Sequence, residues 1–479
     1  MASPSELIAL SAREAVRLLR AGEVSPLEMV EAAAERIEAV DGAVNALPIL
    51  CLDKAREQAK SIVTPDEPGP GWLAGLPVAV KDLNEVAGVR TTYGSPVFAE
   101  NVPAEDEISV SHLRRRGAVF LGKSNTPEFG AGANTFNEVF GKTLNPWNTA
   151  LTCGGSSGGS AVALATGMAW LATGSDLGGS LRTPASFCSI VGMRPSPGRV
   201  PHGPSRNPFQ MLAVDGPMGR SVGDVALMLD AEVGRHPKDP ISLEAPATSF
   251  QAAVDAPRAP VRIGFTRDLG IGPVDCEVAD ICAAAAARFA DAGTIVEEAA
   301  PDCHDIIDIF QVLRAALFVG VRAPMLENYR DLLKPEMVWN VEKGMAQTTG
   351  DVGKAWVAQG ALYQRLMAWF EEYDLLALPT AIVPPFDVNR RYLDRLGDHE
   401  FDNYIDWVYV AYTATLTSSP AISVPCGFTA SGLPVGLQLI GKPRGEAELL
   451  SYAAQLEQIL ALGALTPMDP RPGEVPASG

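Results

Sequence analysis

The chain has 479 residues, of which 47% are hydrophobic and 20% charged, so it carries enough apolar material for a large packed core. Its 57 acidic and 38 basic residues give a formal net charge of -19, and its densest basic run, Arg114 to Arg116, is short. That field repels phosphate backbones and argues against a nucleic-acid partner.

The first 63 residues read as mostly helical. Ser3-Pro4-Ser5-Glu6 and Ser25-Pro26-Leu27-Glu28 each place a serine cap before proline, with glutamate three residues after the cap. They predict two amphipathic helices separated by a stop at Ala21-Gly22-Glu23-Val24. No signal peptide and no membrane span is expected, and the simplest location is cytoplasmic. Pro65 to Gly71 is a surface turn. Leu76 to Val80 predicts a buried strand ending on Lys81-Asp82. Ser109 to Arg116 predicts a helix and Ala118 to Lys123 a second strand.

Residues 154 to 160 are glycine and serine only, and they open a small-residue segment, Ala161 to Ala172, expected to be one buried helix. Gly178-Gly179-Ser180 follows. Val261 to Phe265, Val278 to Ala290 and Thr294 to Val296 predict a strand–helix–strand unit. Residues 305 to 375 look helical, running into a strand at Asp374 to Leu378. Pro384 to Asn403 is expected to be a surface loop or short helices. Ala421 to Pro425 and Pro434 to Ile440 predict two strands, Glu446 to Leu460 a final helix, and the tail after Pro467 frayed chain. Alternating helices and strands predict an α/β fold with a central twisted mixed β-sheet covered by α-helices on both faces. No repeat or linker divides the chain. It is expected to form a single domain, 1-479, with an N-terminal helical segment, 1-63, packed on an α/β core, 64-479.

The seven cysteines are scattered and odd in number, and the five histidines form no HExxH pattern, so neither a disulfide framework nor a metal site is expected. The chemistry lies in the glycine-serine stretches. Glycines at Gly178 and Gly179 let backbone N–H groups approach a substrate, and Ser180 can present a nucleophilic hydroxyl there. No histidine lies in either stretch. A neutral lysine is the other route to a base, and Lys81 at the end of an apolar strand is a candidate because burial lowers an amine's pKa. By themselves these motifs are equally compatible with a surface ion pair and a glycine turn. The GGSSGGS run lacks the GxxxxGK[ST] form of a nucleotide loop.

Taken together, the chain resembles the amidase signature family. The matching blocks are Leu76 to Asp82, Thr91 to Ser95, Gly122 to Gly130, Asn145 to Asn148, Gly154 to Ser160, Gly174 to Ala185, Gly216 to Arg220 and Pro434 to Gln438. The resemblance spans nearly the whole chain. It implies an amidase with a Ser–cis-Ser–Lys catalytic set. Ser180 would be the nucleophile, Ser156 the proton relay behind a cis peptide bond, and Lys81 the base. It further implies an oxyanion hole from the N–H groups of Leu177, Gly178, Gly179 and Ser180, braced by Asp176 and Arg182. No cofactor is implied. The expected partner is a small-molecule amide, with no nucleic acid and no membrane, and a homodimer is the expected assembly.

Substrate choice is not written in these motifs. Phe136, Asn137, Phe140, Phe209 to Met211, and the aromatic run Tyr404, Trp407, Tyr409 and Tyr412 are the candidate pocket residues. Their aromatic character suggests aryl or hydrophobic amides, with esters or carbamates as further substrates. One alternative is the amidase component of a glutamine-dependent tRNA amidotransferase, which shares the catalytic set. That component more typically has cysteine-alanine-serine where this chain has Tyr93-Gly94-Ser95, and threonine where it has Leu177. A non-catalytic scaffold with the same fold is a second alternative, one that the intact Lys81, Ser156 and Ser180 argue against.

Overall fold

A computed structural model describes residues 3–475. Eleven strands make the central sheet: β1 (Ile49–Leu50), β2 (Pro77–Lys81), β3 (Val119–Ser124), β4 (Leu171–Asp176), β5 (Val191–Arg194), β6 (Val214–Gly219), β7 (Arg262–Phe265), β8 (Ile295–Glu298), β9 (Leu375–Pro379), β10 (Ala421–Phe428) and β11 (Pro434–Ile440). Their order across the sheet is β1-β3-β2-β4-β6-β5-β10-β11-β9-β7-β8. β3, β2 and β4 run parallel at one end, and β9, β7 and β8 run parallel at the other. Antiparallel pairs join the two groups. The expected mixed sheet is thus present.

Alternation along β9 shows why both faces need covering. Leu375 and Ala377 enter one apolar cluster, while Leu376 and Leu378 enter another. Side chains in a strand point to opposite faces with period two, so this strand is sandwiched between helical layers.

Several predicted elements differ in detail. Both serine capping boxes form, at Ser3 and Ser25. However, three helices fill the segment expected to hold two, because Ser11 caps a new helix at Ala12–Ala21. Gly22 stops that helix in the left-handed region, at φ 69°. The segment Ala161 to Ala172 is not one helix. The helix Gly158–Ala165 stops at Thr166, Gly167 turns the chain at φ 77°, and Leu171 and Ala172 open β4. Close packing explains the glycines at the helix start. A Cβ on Gly159 would sit 2.3 Å from the Asn125 backbone nitrogen. Pro384 to Asn403 includes a small hairpin, Arg395–Leu396 with His399–Glu400.

The tail is tied down as far as it is described. Thr149 N–H donates to Arg471 O at 3.0 Å, and Arg36 donates to Met468 O at 2.8 Å. The expectation of fraying fails for 468–475, and residues 476–479 lie outside the described chain. Among the described residues, no helix is long and apolar enough to cross a membrane.

Candidate active site

Parallel pairing of β2 and β4 sets the site's geometry. Val78 lies opposite Leu171 and Ala79 opposite Ala172, so the two strands end together and present Lys81 beside Thr173 and Ser175. Thr173 Oγ1 accepts the Lys81 backbone N–H at 2.9 Å. The turn entering the helix Gly158–Ala165 supplies Ser156 and Ser157 from above. Lys81 is wholly buried. Its Nζ donates to Ser156 Oγ at 2.7 Å, Ser157 Oγ at 2.8 Å and Ser175 Oγ at 2.9 Å. Loss of water around the amine brings its pKa down to about 7, although Asp215 and Asp176 pull it back up. Close to half of the Lys81 amines are therefore neutral, and able to take a proton, near pH 7.

The Gly155–Ser156 peptide is cis. Ser180 lies across the cavity from this turn, half-buried, and its carbonyl accepts the Ser157 N–H at 3.2 Å. No hydrogen bond holds the Ser180 hydroxyl among the described residues, so it is free to turn toward Ser156 or a ligand.

Asp176 anchors the loop before Ser180. Its carboxylate accepts the N–H groups of Gly179 at 3.0 Å and Leu181 at 3.2 Å. Arg182 adds two bonds, at 3.0 and 2.8 Å, and Arg194 a third contact at 3.2 Å. Burial alone would raise this carboxyl; the two guanidiniums outweigh it and hold the group well below the usual carboxylate range. Asp176 is thus spent on bracing. This corrects the four-donor oxyanion hole expected from the sequence. The N–H of Gly179 already points at Asp176, which leaves those of Leu177, Gly178 and Ser180 for an oxyanion.

Ser156 and Ser180 share a cavity of about 140 Å³, walled by Leu83, Phe129, Leu177, Phe310, Arg314, Phe318, Ile405 and Val408. None of the pocket residues chosen from sequence lines it. Phe136 lies under Arg391, 4.9 Å from the ring centre. Asn137 is buried and shapes a turn, donating to Asn125 Oδ1 at 2.7 Å and Thr126 O at 2.8 Å. Phe140 packs against the N-terminal cluster, with Arg90 at 5.3 Å. Met211 and Phe209 belong to a separate cleft of about 930 Å³ that shares no lining residue with the serine cavity. Trp407 is wholly enclosed, edge-on to Phe386 at 5.5 Å. The aromatic run turns inward because 406–416 is a continuous helical stretch with its rings in the core. Tyr412 stands behind the wall, stacked on Phe310 at 3.6 Å.

Sequence reasoning missed Ser157, Ser175 and Arg194. Ser157 was visible in the glycine-serine run, and Ser175 directly precedes Asp176; Arg194 carries no local signal. Elsewhere, Glu107, His202 and Asp215 bring ligand atoms within 4.8 Å of one another. Asn84 Nδ2 donates to both carboxylates, at 3.1 and 3.3 Å, and burial beside Asp215 raises Glu107 well above its usual range. The group holds together as a hydrogen-bonded acid pair.

Known proteins share both the sequence pattern and the fold. The profile of the Amidase family matches residues 28–450. An acylamidase from Rhodococcus erythropolis is 33% identical, covering 96% of this chain and 97% of its own. The amidase-like component of the glutamyl-tRNA(Gln) amidotransferase from Moorella thermoacetica is 35% identical, over 95% of this chain and 97% of its own. Among solved structures, a bacterial aryl acylamidase of the amidase signature family superposes with a TM-score of 0.86 at 27% identity, covering 95% of this chain and 97% of that one.

Proposed function

The chain belongs to the amidase signature family and is an amide hydrolase; from that premise we propose that it cleaves small-molecule carboxylic amides through an acyl-enzyme on Ser180. The observation that carries this is the buried Lys81 amine, with a pKa of about 7, held 2.7 Å from Ser156 Oγ in the cavity that Ser180 enters.

The reaction starts with neutral Lys81. It draws a proton from Ser156 as Ser156 takes one from Ser180, and Ser180 Oγ attacks the carbonyl carbon. The oxyanion is met by the N–H groups of Leu177, Gly178 and Ser180; each such donor is worth roughly 3–4 kcal/mol in the transition state. Collapse of the intermediate breaks the C–N bond. The proton on Lys81 returns through Ser156 to the leaving nitrogen. Water attacks the acyl-enzyme through the same relay and releases the acid. Ser157 and Ser175 steer the Lys81 amine toward Ser156.

Leu83, Phe129, Phe310 and Phe318 make the cavity largely apolar, which favours aryl or hydrophobic groups beside the scissile bond. Esters and carbamates would be accepted by the same chemistry. The test is product release from aliphatic amides, anilides, phenyl esters, aryl carbamates and glutamine, with wild type beside Ser180→Ala. Cleavage of an anilide or carbamate by wild type alone is expected. Cleavage of an anilide that survives Ser180→Ala would sink the proposal. A second reading, ammonia release from glutamine within an amidotransferase, is favoured by the likeness to the Moorella protein; cleavage of glutamine alone, with partner proteins added, would put it first.

A further inference from the structure

Arg314 is an unusual wall for a hydrophobic cavity. It projects from the helix Ile306–Tyr329, is 5% exposed, and lines the cavity with Ser156 and Ser180. Its guanidinium is held rigidly but without a counter-charge. Nη1 donates to Asn340 Oδ1, Nη2 donates to Tyr404 Oη at 2.5 Å, and the group lies over the Phe318 ring at 4.3 Å. Among the described residues it makes no ion pair, and its Nε has no hydrogen-bond acceptor.

The neighbouring carboxylates are engaged elsewhere. Glu336 pairs with Arg391 at 2.6 Å. Asp406 accepts from Gln311 and from Asn403. Glu128 accepts from Ser95 at 2.7 Å and from the Lys334 backbone at 2.9 Å. Other cations stand on the same side. Arg322 lies over Phe129, a wall residue, at 4.1 Å, and the buried Lys334 Nζ donates to Ala131 O; neither makes an ion pair among the described residues. In a chain of net charge -19 this is a local positive field aimed into the cavity.

A buried guanidinium without an anion is costly, and a planar fork held by neutral partners matches a carboxylate. We propose that Arg314 binds an anionic group on the substrate, so that the amide cleaved at Ser180 carries a carboxylate a few bonds from the scissile C–N bond. This rests on the reading of the Ser180 cavity as the hydrolytic site.

Matched substrate pairs test it. Glutaramate against glutaramide puts the carboxylate on the acyl side, and N-benzoyl-β-alanine against its primary amide puts it on the amine side. For at least one pair, kcat/KM should favour the anionic member in wild type. That preference should shrink roughly 10- to 150-fold in Arg314→Gln, the worth of a charged hydrogen bond, and only partly in Arg314→Lys, which keeps charge but loses the fork. A wild-type ratio near one for both pairs, or a ratio unmoved by Arg314→Gln, overturns the proposal. Calorimetric binding of the same compounds to Ser180→Ala, with and without Arg314→Gln, reads the anion site without chemistry. Arg314-dependent binding of the anionic member with no turnover in wild type would uphold this inference and sink the hydrolytic reading. Turnover with no Arg314-dependent preference would do the reverse.

Discussion

The base in this site works only if Lys81 is neutral, and that makes pH the sharpest perturbation. With a pKa of about 7, set chiefly by burial, about half of the amines are free at pH 7. An unperturbed lysine, at ~10.4–10.5, would be free in only about 3 to 4 molecules per 10,000. Burial therefore raises the concentration of competent base about a thousandfold. Because kcat/KM reports the free enzyme's ionisations, its profile for a neutral anilide between pH 5 and 10 reads Lys81 directly. It should climb about tenfold per unit below pH 6, bend near 7, and be level above about 8. Asp215→Asn should move the bend to lower pH, since Asp215 is the leading charge that holds the amine's pKa up. A rate still rising tenfold per unit at pH 9, or one flat from pH 5, would refute the assignment of Lys81 as a desolvated base.

Lys81 should also leave a mark on stability. Its folded pKa lies below its unfolded value, so between about pH 7 and 10.5 the unfolded chain binds more protons and native stability rises with pH. The full window is on the order of 5 kcal/mol. Denaturant unfolding of Lys81→Met should therefore show an advantage over wild type that shrinks as pH rises; a pH-independent gap would contradict this. Asp176→Asn leaves Arg182 and Arg194 buried with no carboxylate, and unfolding midpoints should reveal a loss of roughly 3–5 kcal/mol. Gly179→Ala should cut kcat sharply, because Gly179 sits at φ 98° and a Cβ there would meet Ala411 Cβ at 2.9 Å. Activity near wild type would show that the loop tolerates the shift.

What could be seen in the sequence was local. The serine caps at Ser3 and Ser25 and the stop at Gly22 are decided within four residues, and each formed. The same locality explains the failures. Ser11 is a third cap of ordinary appearance, hidden inside a pattern that reads as one helix. Ala161 to Ala172 looks uniform in composition, yet Thr166 and Gly167 end the helix and the rest pairs with β2. At the site, Lys81, Ser156 and Ser180 stood out because glycine-rich blocks surround the serines and an apolar strand precedes the lysine. The cavity wall did not. Phe310, Arg314 and Phe318 come from a helix more than 120 residues after Ser180, and only the sheet order brings them there. Aromatic residues at 136, 140 and 407 were equally plausible by type, and their rings are taken by cation contacts or by the core instead.

Everything proposed for this site passes through an acyl group on Ser180, and rapid quenching of an anilide or phenyl ester reaction, followed by mass analysis of the digested protein, looks for that group itself. The acyl mass is expected on the Ser180 peptide in wild type, with none in Ser180→Ala and slower acylation in Ser156→Ala. Product formed at the wild-type rate with no acylated peptide, or acyl groups on a residue other than Ser180, would contradict the mechanism.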